Sequence, residues 1–575
     1  MGHGQVYIRA ATSGFYCGAL KLSVLKSLCD GERRAACNVN EVGGLAEAIS
    51  SAELTAGDDT LELASGCVYT LETEEFSGFD SNLALQKLDT NIVINGNGAT
   101  ITRSDTAPRF RILEIANGAN VTINDLTISN GYTENGGDAD YGVPGAGILN
   151  LGTLTINRST ISGNTTGNGI DVILGHGRNG GAGGGIALMN NATLNVFESS
   201  IVGNRTGDGG NARHGSGENG QPGRGGGIYN GESNLNLQRN LIADNVIGAL
   251  GIGSTTNSSL FGGGGVYASL QGAFGSLRLS SNTFSNNTLP MSLQAAGGAM
   301  YVGNFGTSTI NIFHNTFASN TSGILVSSLD HPVFLTGNIF TGHAGPDCTS
   351  NEFGTSTVSV QFNLFQGTSS NACGAADGAN GNVTNGIANL APLGDNGGPT
   401  LTHDLLPGSD AIDSVSVRAT YQDQRGVRVG QDYDNLAPFN DLADMGALEH
   451  IRIDKISQNT NESGLEIATA SQQYVFEVEL KKGQRVTASI FFTHGDGDLD
   501  LRLIAKKDLS NTIAISDSAD NQESIEFSAS ESGVYWFYVY GYTGALNTFD
   551  YDFEFDGDEL CFPVGKTPRI AVVCL

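Results

Sequence analysis

Charge is scarce in this 575-residue chain: 15% of its residues are Asp, Glu, Lys or Arg, and the cations are the rarer kind, 29 against 59. The formal charge of −30 disfavours nucleic acid and anionic membranes as partners, because phosphate binding needs a surplus of Lys and Arg. No apolar run approaches the roughly 18 residues that a membrane-spanning helix requires. None of the eight cysteines has CxxC spacing, so no zinc or redox motif is written in them. Tryptophan occurs once, at Trp536.

What the chain has instead is a phrase: two apolar residues flanking an exposed one, then Ile or Phe five positions after the second. It occurs as Val121/Ile123/Ile128, Leu154/Ile156/Ile161, Leu194/Val196/Ile201, Leu235/Leu237/Ile242, Leu277/Leu279/Phe284, Ile310/Ile312/Phe317, Val333/Leu335/Phe340 and Val358/Val360/Phe365. The internal spacing is constant, whereas the distance between phrases runs 33, 40, 41, 42, 33, 23 and 25 residues. The period-2 step puts the flanking pair on one face of a strand, and the five-residue step crosses a corner into a second strand. Such a unit cannot bury its apolar face alone. Stacked at the sheet spacing, the units make one continuous core in a rod about 40 Å long.

Asparagine and glycine mark the corners. Asn164, Asn204, Asn245, Asn287 and Asn320 lie three residues after the terminal Ile or Phe; Asn240, Asn282, Asn315, Asn338 and Asn363 lie three after the middle residue. Asparagine tolerates left-handed backbone and bonds its own turn, so these positions read as structural ladders. Glycine-rich steps such as Gly183-Gly184-Gly185-Ile186 and Gly225-Gly226-Gly227-Ile228 enter the next strand; no helical pattern follows them, so they are not nucleotide loops. GGAM at 297–300, FSNN at 284–287 and FASN at 317–320 resemble the repeats of polymorphic outer-membrane proteins, and that resemblance implies a right-handed parallel β-helix. The chain's end shows no strand series for the membrane barrel of that family.

The flanking regions carry further resemblances. Leu45, Ala46, Ile49 and Ala52 are spaced for one face of a short helix that caps the rod, and GLAEAI followed by GDDTLEL resembles the CSLREA-type N-terminal motif of bacterial surface β-helices. NGGPTLTHDLLPGSDAID at 396–413, DQRG at 423–426 and DMGALE at 444–449 look like the choice-of-anchor Q module; Asp413, Asp423, Arg425, Asp444 and Glu449 there read as a polar network closing the last coil rather than as catalytic groups. After His450, alternating strands indicate a β-sandwich, and GDGDLDLRL, SGVYWFYVYGYTG and YDFEF in that order resemble the bacterial pre-peptidase C-terminal domain. Core packing is the expected role of the aromatics around Trp536.

The expected architecture is therefore all-β: a right-handed parallel β-helix solenoid with an N-terminal helical cap, then a small antiparallel β-sandwich. Its divisions are a poorly ordered segment at 1–36, the cap at 37–90, the β-helix at 91–366, its C-terminal cap at 367–450, the sandwich at 451–556 and a terminal hairpin at 557–575. Three local disulfides are the simplest pairing, Cys37 with Cys67, Cys348 with Cys373 and Cys561 with Cys574, with Cys17 and Cys29 open. They imply an oxidising compartment, although residues 1–36 do not read as a signal peptide.

Function has to lie outside the phrase. The insertions at about 131–144, 165–182, 205–224, 246–262 and 288–295 all emerge at one edge, where a ridge of loops is expected. Asp171, His176, Arg178, Asp208, Arg213, His214 and Glu218 are the candidate binding residues, with solvated loop positions as the plainer reading. Asp496, Asp498 and Asp500 alternate as candidate Ca²⁺ ligands, without the later Glu of an EF-hand loop. Among enzymes on β-helices, polygalacturonases carry NTD, DD, GHG and RIK; here Asp58-Asp59 lies in the cap, Gly175-His176-Gly177 in an insertion, and NTD and RIK do not occur. These features favour adhesion or recognition of an extracellular polysaccharide or cell surface, without a catalytic site. A polysaccharide lyase or hydrolase with an unrecognised site, and a self-assembling structural subunit, are the alternatives.

Overall fold

The computed structural model describes residues 32–41, 43–54, 58–77, 81–136, 141–214, 217–253, 262–272, 275–290, 297–306, 310–329, 332–353, 358–367, 371–416, 422–427, 442–451, 453–467, 473–542, 545–556, 562–564 and 571–573. Cys17, Cys29, Cys561 and Cys574 lie outside them.

Each repeat of the phrase is one coil of a three-faced parallel β-helix. The flanking pair sits on the first face, in strands such as Thr153–Asn157, Thr193–Phe197 and Asn234–Gln238, and the terminal Ile or Phe on the second, in Thr160–Ser162, Ser200–Val202 and Leu241–Ala243. The glycine step leads to the third face, an eight-stranded parallel sheet from Leu113–Ile115 to Cys348–Phe353. Register follows the phrase residue by residue: Leu154 pairs with Val121 and Leu194, and Ile161 with Ile128 and Ile201. Like therefore stacks on like inside. Phe284, Phe317, Phe340 and Phe365 form one aromatic column with ring centroids 4.8, 4.8 and 4.9 Å apart, the sheet spacing itself.

Both asparagine series are continuous ladders at the corners. Asn164, Asn204, Asn245 and Asn287 each donate from Nδ2 to the Oδ1 of the next member, at 2.9, 3.0, 3.0 and 2.8 Å, ending on Asn320. The second runs from Asn240 through Asn282, Asn315, Asn338 and Asn363 to Asn382. Serine begins it: Ser159 N donates to Ser199 Oγ, and Ser199 N to Asn240 Oδ1. The side chains supply partners for corner amides that no strand can pair.

At the start, helix Leu45–Glu53 buries Leu45, Ala48, Ile49 and Ala52; Ala46, expected on that face, is half-exposed and Ala48 takes its place. The boundary of the N-terminal segment also moves, because Glu32–Ala35 pairs in parallel with Asp58–Leu63 and adds a rung beneath the cap. Two disulfides, Cys37–Cys67 and Cys348–Cys373, span 30 and 25 residues near the two ends, each contributing about 3.5 kcal/mol on chain-entropy grounds.

Beyond the last rung, Val383–Thr384, the chain does not simply close the end of the solenoid. It turns back along the flank. Thr283 Oγ1 donates to Gln424 Oε1 at 2.7 Å, Ser285 Oγ meets His403 Nε2 at 3.0 Å, and the amides of Ala447 and Gly446 donate to Thr316 Oγ1 and Gly337 O. From Leu241 to Ile339 the outward side chains of the second face are accordingly buried, whereas Thr160, Ser162 and Ser200 on earlier coils stay half-exposed. The polar network predicted from DQRG and DMGALE holds this strap together: Asp423 receives Nε and Nη2 of Arg425 at 2.9 and 2.7 Å and the amides of Arg425, Val427 and Glu449, while Asp444 receives Asp413 N. The network is as expected, but its place is the flank rather than the last coil.

The C-terminal sandwich packs a five-stranded sheet, which includes Gln473–Leu480, Gly533–Gly541 and Leu499–Ala505, on a four-stranded one. Tyr535 and Phe537 point into the sandwich core. Trp536 and Tyr538 point the other way and are buried against Val427 and Ile451 of the strap, so the lone tryptophan belongs to a joint between domains. Its Nε1 donates to Glu477 Oε2 at 3.0 Å.

Candidate functional site

The insertions do not hang as separate loops. Their described residues stack coil on coil into a wall, bonded backbone to backbone, at the edge between the second and third faces. Threonine starts each layer: Thr133, Thr166 and Thr206 donate across their own insertions to Val143 O, Gly181 O and Gly223 O at 2.7, 2.6 and 3.0 Å. The same hydroxyls accept the amides of Gly167, Gly207 and Gly248 on the following layer. Farther out, Asn135 Oδ1 accepts Asn168 N, Asn168 Oδ1 accepts Asp208 N, and Asp208 Oδ1 accepts Ala249 N, at 2.9, 2.9 and 2.7 Å. Glycine makes this packing feasible: a Cβ on Gly207 would lie 1.9 Å from Gly167 O, and one on Gly223 1.7 Å from Gly181 O.

Most of the candidate binding residues are members of this wall. Asp171 Oδ1 accepts Asn211 N at 2.8 Å and its Oδ2 pairs with Arg213; first the amide and then the guanidinium hold its carboxyl below the usual range. His176 Nδ1 accepts Glu218 N at 3.1 Å, Asp208 pairs with Arg205, and Arg178 O accepts Gly210 N. His214 pairs through its backbone with Leu174, closing a two-stranded sheet of Val172–Leu174 and Ala212–His214. The residues are thus brought into one surface but not onto one centre.

At the wall's outer edge the polarity reverses. Leu174 is 81% exposed and Ile252 76%, with Ile173 beside them, and Arg213, His176 and Glu218 are the charged or titratable neighbours. Sequence reading passed over these three aliphatics because they follow no period.

In the sandwich, Asp496 belongs to a short helical turn, Asp498 Oδ1 lies 3.1 Å from His494 Nδ1, and Asp500 is buried. No group of three or more His, Cys, Asp or Glu among the described residues could hold a metal ion. Burial, reinforced by Asp498, Asp517 and Glu523, pushes the Asp500 carboxyl up to about 6. An acid whose folded-state pKa is raised favours the folded state most at low pH and loses that contribution as pH climbs from about 4 to 6. Asp500→Asn is therefore expected to melt higher than the parent above pH 6 and close to it near pH 4, by differential scanning calorimetry. Equal melting at every pH would contradict this.

A second locus carries no sequence motif. On the last coils, Gly342–Asp347 and Gln366, Gly367 and Asn371 line an open depression of about 490 Å³, beside which burial raises Asp347 to about 6 and lowers His343 to about 4. The one signal available was the FTGH at 340–343, where the two preceding coils read FSNN at 284–287 and FASN at 317–320.

Against known proteins, the family model of the bacterial pre-peptidase C-terminal domain matches residues 474–541. The pre-peptidase C-terminal domain of a Bacillus anthracis collagenase is 21% identical, over 18% of this chain and 95% of its own, with a TM-score of 0.17. Aeromonas hydrophila PliG, a periplasmic inhibitor of g-type lysozyme, is 15% identical over 18% of this chain and 98% of its own, with a TM-score of 0.15. The tailspike protein of E. coli bacteriophage HK620, in complex with a pentasaccharide, is 10% identical over 92% of this chain and 94% of its own, with a TM-score of 0.26. No curated protein matches the chain.

Proposed function

We propose that this disulfide-bonded β-helix, with its pre-peptidase-type domain at 474–541, is an extracellular recognition rod that holds a polysaccharide along the outer edge of the stacked wall. The disulfides and the domain fit a secreted protein, and among the described residues no helix is long and apolar enough to cross a membrane. The observation that carries the reading is the edge itself: exposed Ile173, Leu174 and Ile252 on a rigid, hydrogen-bonded support, beside Arg213, His176 and Glu218. Apolar CH faces of sugar rings suit such aliphatics, while hydroxyls suit their polar neighbours. Because layers recur at the sheet spacing, a repeating ligand meets several of them at once, and weak contacts multiply.

The test is retention of the purified chain on a panel of immobilised neutral and acidic polysaccharides. Replacing Ile173, Leu174 and Ile252 by serine is expected to weaken retention by about tenfold or more. Unchanged retention would sink the proposal, and release of reducing or unsaturated ends from the polymer would replace recognition by catalysis.

A further inference from the structure

One anchor of the strap is an arginine at the corner between the first and second faces. Arg239 donates Nε and Nη2 to Glu198 of the coil before it, at 3.1 and 2.6 Å, and its Nη1 donates to Gln422 Oε1 of the strap at 3.3 Å. On the next coil Ser281 Oγ donates to Gln422 O at 3.1 Å, and Thr283 Oγ1 donates to Gln424 Oε1 at 2.7 Å. The strap thus offers two glutamines, two residues apart, to an arginine on one coil and a hydroxyl on the next.

The same arrangement stands two coils earlier without the strap. Arg158, at the equivalent corner, donates Nε and Nη2 to Asp125 of the coil before it at 2.9 and 2.8 Å, and its Nη1 has no partner among the described residues. Its side chain is 50% exposed, against 17% for Arg239. Its pKa is raised, first by the bonds to Asp125 and then by the charges of Asp125, Glu198 and, from the sandwich, Asp508. Ser200 takes the place of Thr283, since Ser200 pairs with Leu241 and Leu241 with Thr283, and it is half-exposed. Thr160 and Thr127 continue that column, and with Asp125 and Arg158 they line an open depression of about 380 Å³. An exposed ion pair is worth little by itself. Here its copy two coils on shows what the spare donor receives.

We propose that these uncovered coils are a second docking site of the kind the strap fills, and that its occupant is an extended segment of a partner protein carrying Gln-x-Gln. The first carboxamide accepts from Arg158 Nη1 and the second from Ser200 Oγ. In an extended segment side chains two residues apart point the same way about 6.6 Å from each other, enough to pass from one coil to the next, about 4.8 Å away. A neutral carboxamide suits the spare N–H, whereas a carboxylate would be repelled by Asp125, Glu198 and Asp508. An apolar segment would leave the donor and the hydroxyls unpaired. Glu198 stands where Ser281 donates to the strap, so at that point the partner offers a main-chain N–H in place of a carbonyl. Gln-x-Gln occurs once in this chain, in the strap itself, which points to a different protein and not to a second copy.

The probe is a fluorescein-labelled peptide with the sequence of residues 422–427, Gln-Asp-Gln-Arg-Gly-Val, titrated with the full chain and followed by anisotropy. A free peptide lacks the effective concentration of the tethered strap, so a dissociation constant on the order of millimolar is expected. Alanine in place of both glutamines should weaken binding by about tenfold or more, and so should Arg158→Met combined with Ser200→Ala. These positions are at the surface, so the variant should melt with the parent. The serine-substituted wall should bind the peptide as the parent does, which keeps this site separate from the polysaccharide edge. Absence of binding at millimolar concentration, equal affinity for the alanine peptide or unchanged binding in the Arg158 and Ser200 variant overturns the proposal. So does loss of polysaccharide retention in that variant, which would give the face to the polymer, or a parent dimer in sedimentation that the variant dissolves, which would give it to a second copy.

Discussion

Gly207→Ala is expected to loosen the wall while leaving the rod folded. The added Cβ falls 1.9 Å from Gly167 O and 2.5 Å from its carbonyl carbon, atoms of a neighbouring main chain that no rotamer change can move aside. The two layers must separate locally. With them go the bond from Gly207 N to Thr166 Oγ1, which joins the two layers, and the bond from Gly223 N to Gly207 O, which closes the second layer on itself. A loss of about 3 kcal/mol or more, confined to residues 165–253, is the expected scale. Hydrogen exchange read by mass spectrometry should show faster exchange across these insertions and unchanged protection in the first-face strands Leu277–Ser280 and Ile310–Phe313. Polysaccharide retention should fall with it. Unchanged exchange in 165–253 would mean that the layers are not held by close approach of their backbones.

The second large effect belongs to the corner ladder. Asn282 is fully buried; its Oδ1 accepts both Asn240 N and Asn240 Nδ2, and its Nδ2 donates to Leu237 O and Asn315 Oδ1, at 2.9, 3.0, 3.0 and 2.9 Å. Asn282→Ala leaves all four groups short of a partner where water has little room to replace it, and about 4–8 kcal/mol of stability should be lost in equilibrium denaturation. Serine provides the internal control. Ser159 and Ser199 already occupy ladder positions, and each hydroxyl accepts an amide from the preceding coil while donating to a nearby carbonyl. Asn282→Ser should therefore cost roughly half as much as the alanine change. If the two variants were equally destabilised, or neither were, the ladder would not be a major source of stability.

These two predictions mark the line between what the sequence discloses and what it does not. The ladder is legible because its geometry is local: an asparagine at a fixed distance from an apolar triplet has to occur at a corner, and corners of equal coils have to stack. The Cys37–Cys67 and Cys348–Cys373 pairs are legible for the same reason, since each joins positions a single turn or so of the solenoid apart. The wall is illegible. Gly167, Gly207 and Gly223 have no side chain to show a period, and what orders them is hydrogen bonding between backbones some 40 residues apart, which leaves no hydrophobic pattern. Asp171, Asp208 and His176 stood out as ligand-type residues in glycine-rich surroundings; the structure uses all three to receive amides of the following layer. The strap was half legible: its motifs predicted a closed polar network, but nothing near Gln424 announces that its partner is Thr283, 141 residues earlier. His343 stands where Phe284 and Phe317 are followed by Asn287 and Asn320, but a single departure from a repeat names no chemistry.

Folding the strap back along the flank also alters how the solenoid comes apart. A stack of coils joined only to their neighbours is a one-dimensional array, and such an array frays from an unprotected end, one unit after another, at little cost per step. Here the segment that follows the last rung is bonded to Arg239, Ser281, Thr283, Ser285, His314 and Thr316, so the terminal coils and the middle of the rod share one fastening. Peeling away the final coil requires breaking contacts several coils inward, and the sandwich, joined to the strap through Trp536 and Tyr538, travels with it. Loss of the C-terminal half thus becomes a single cooperative event with one large barrier, which would serve the proposed extracellular rod, open to proteases, better than a ladder of small ones.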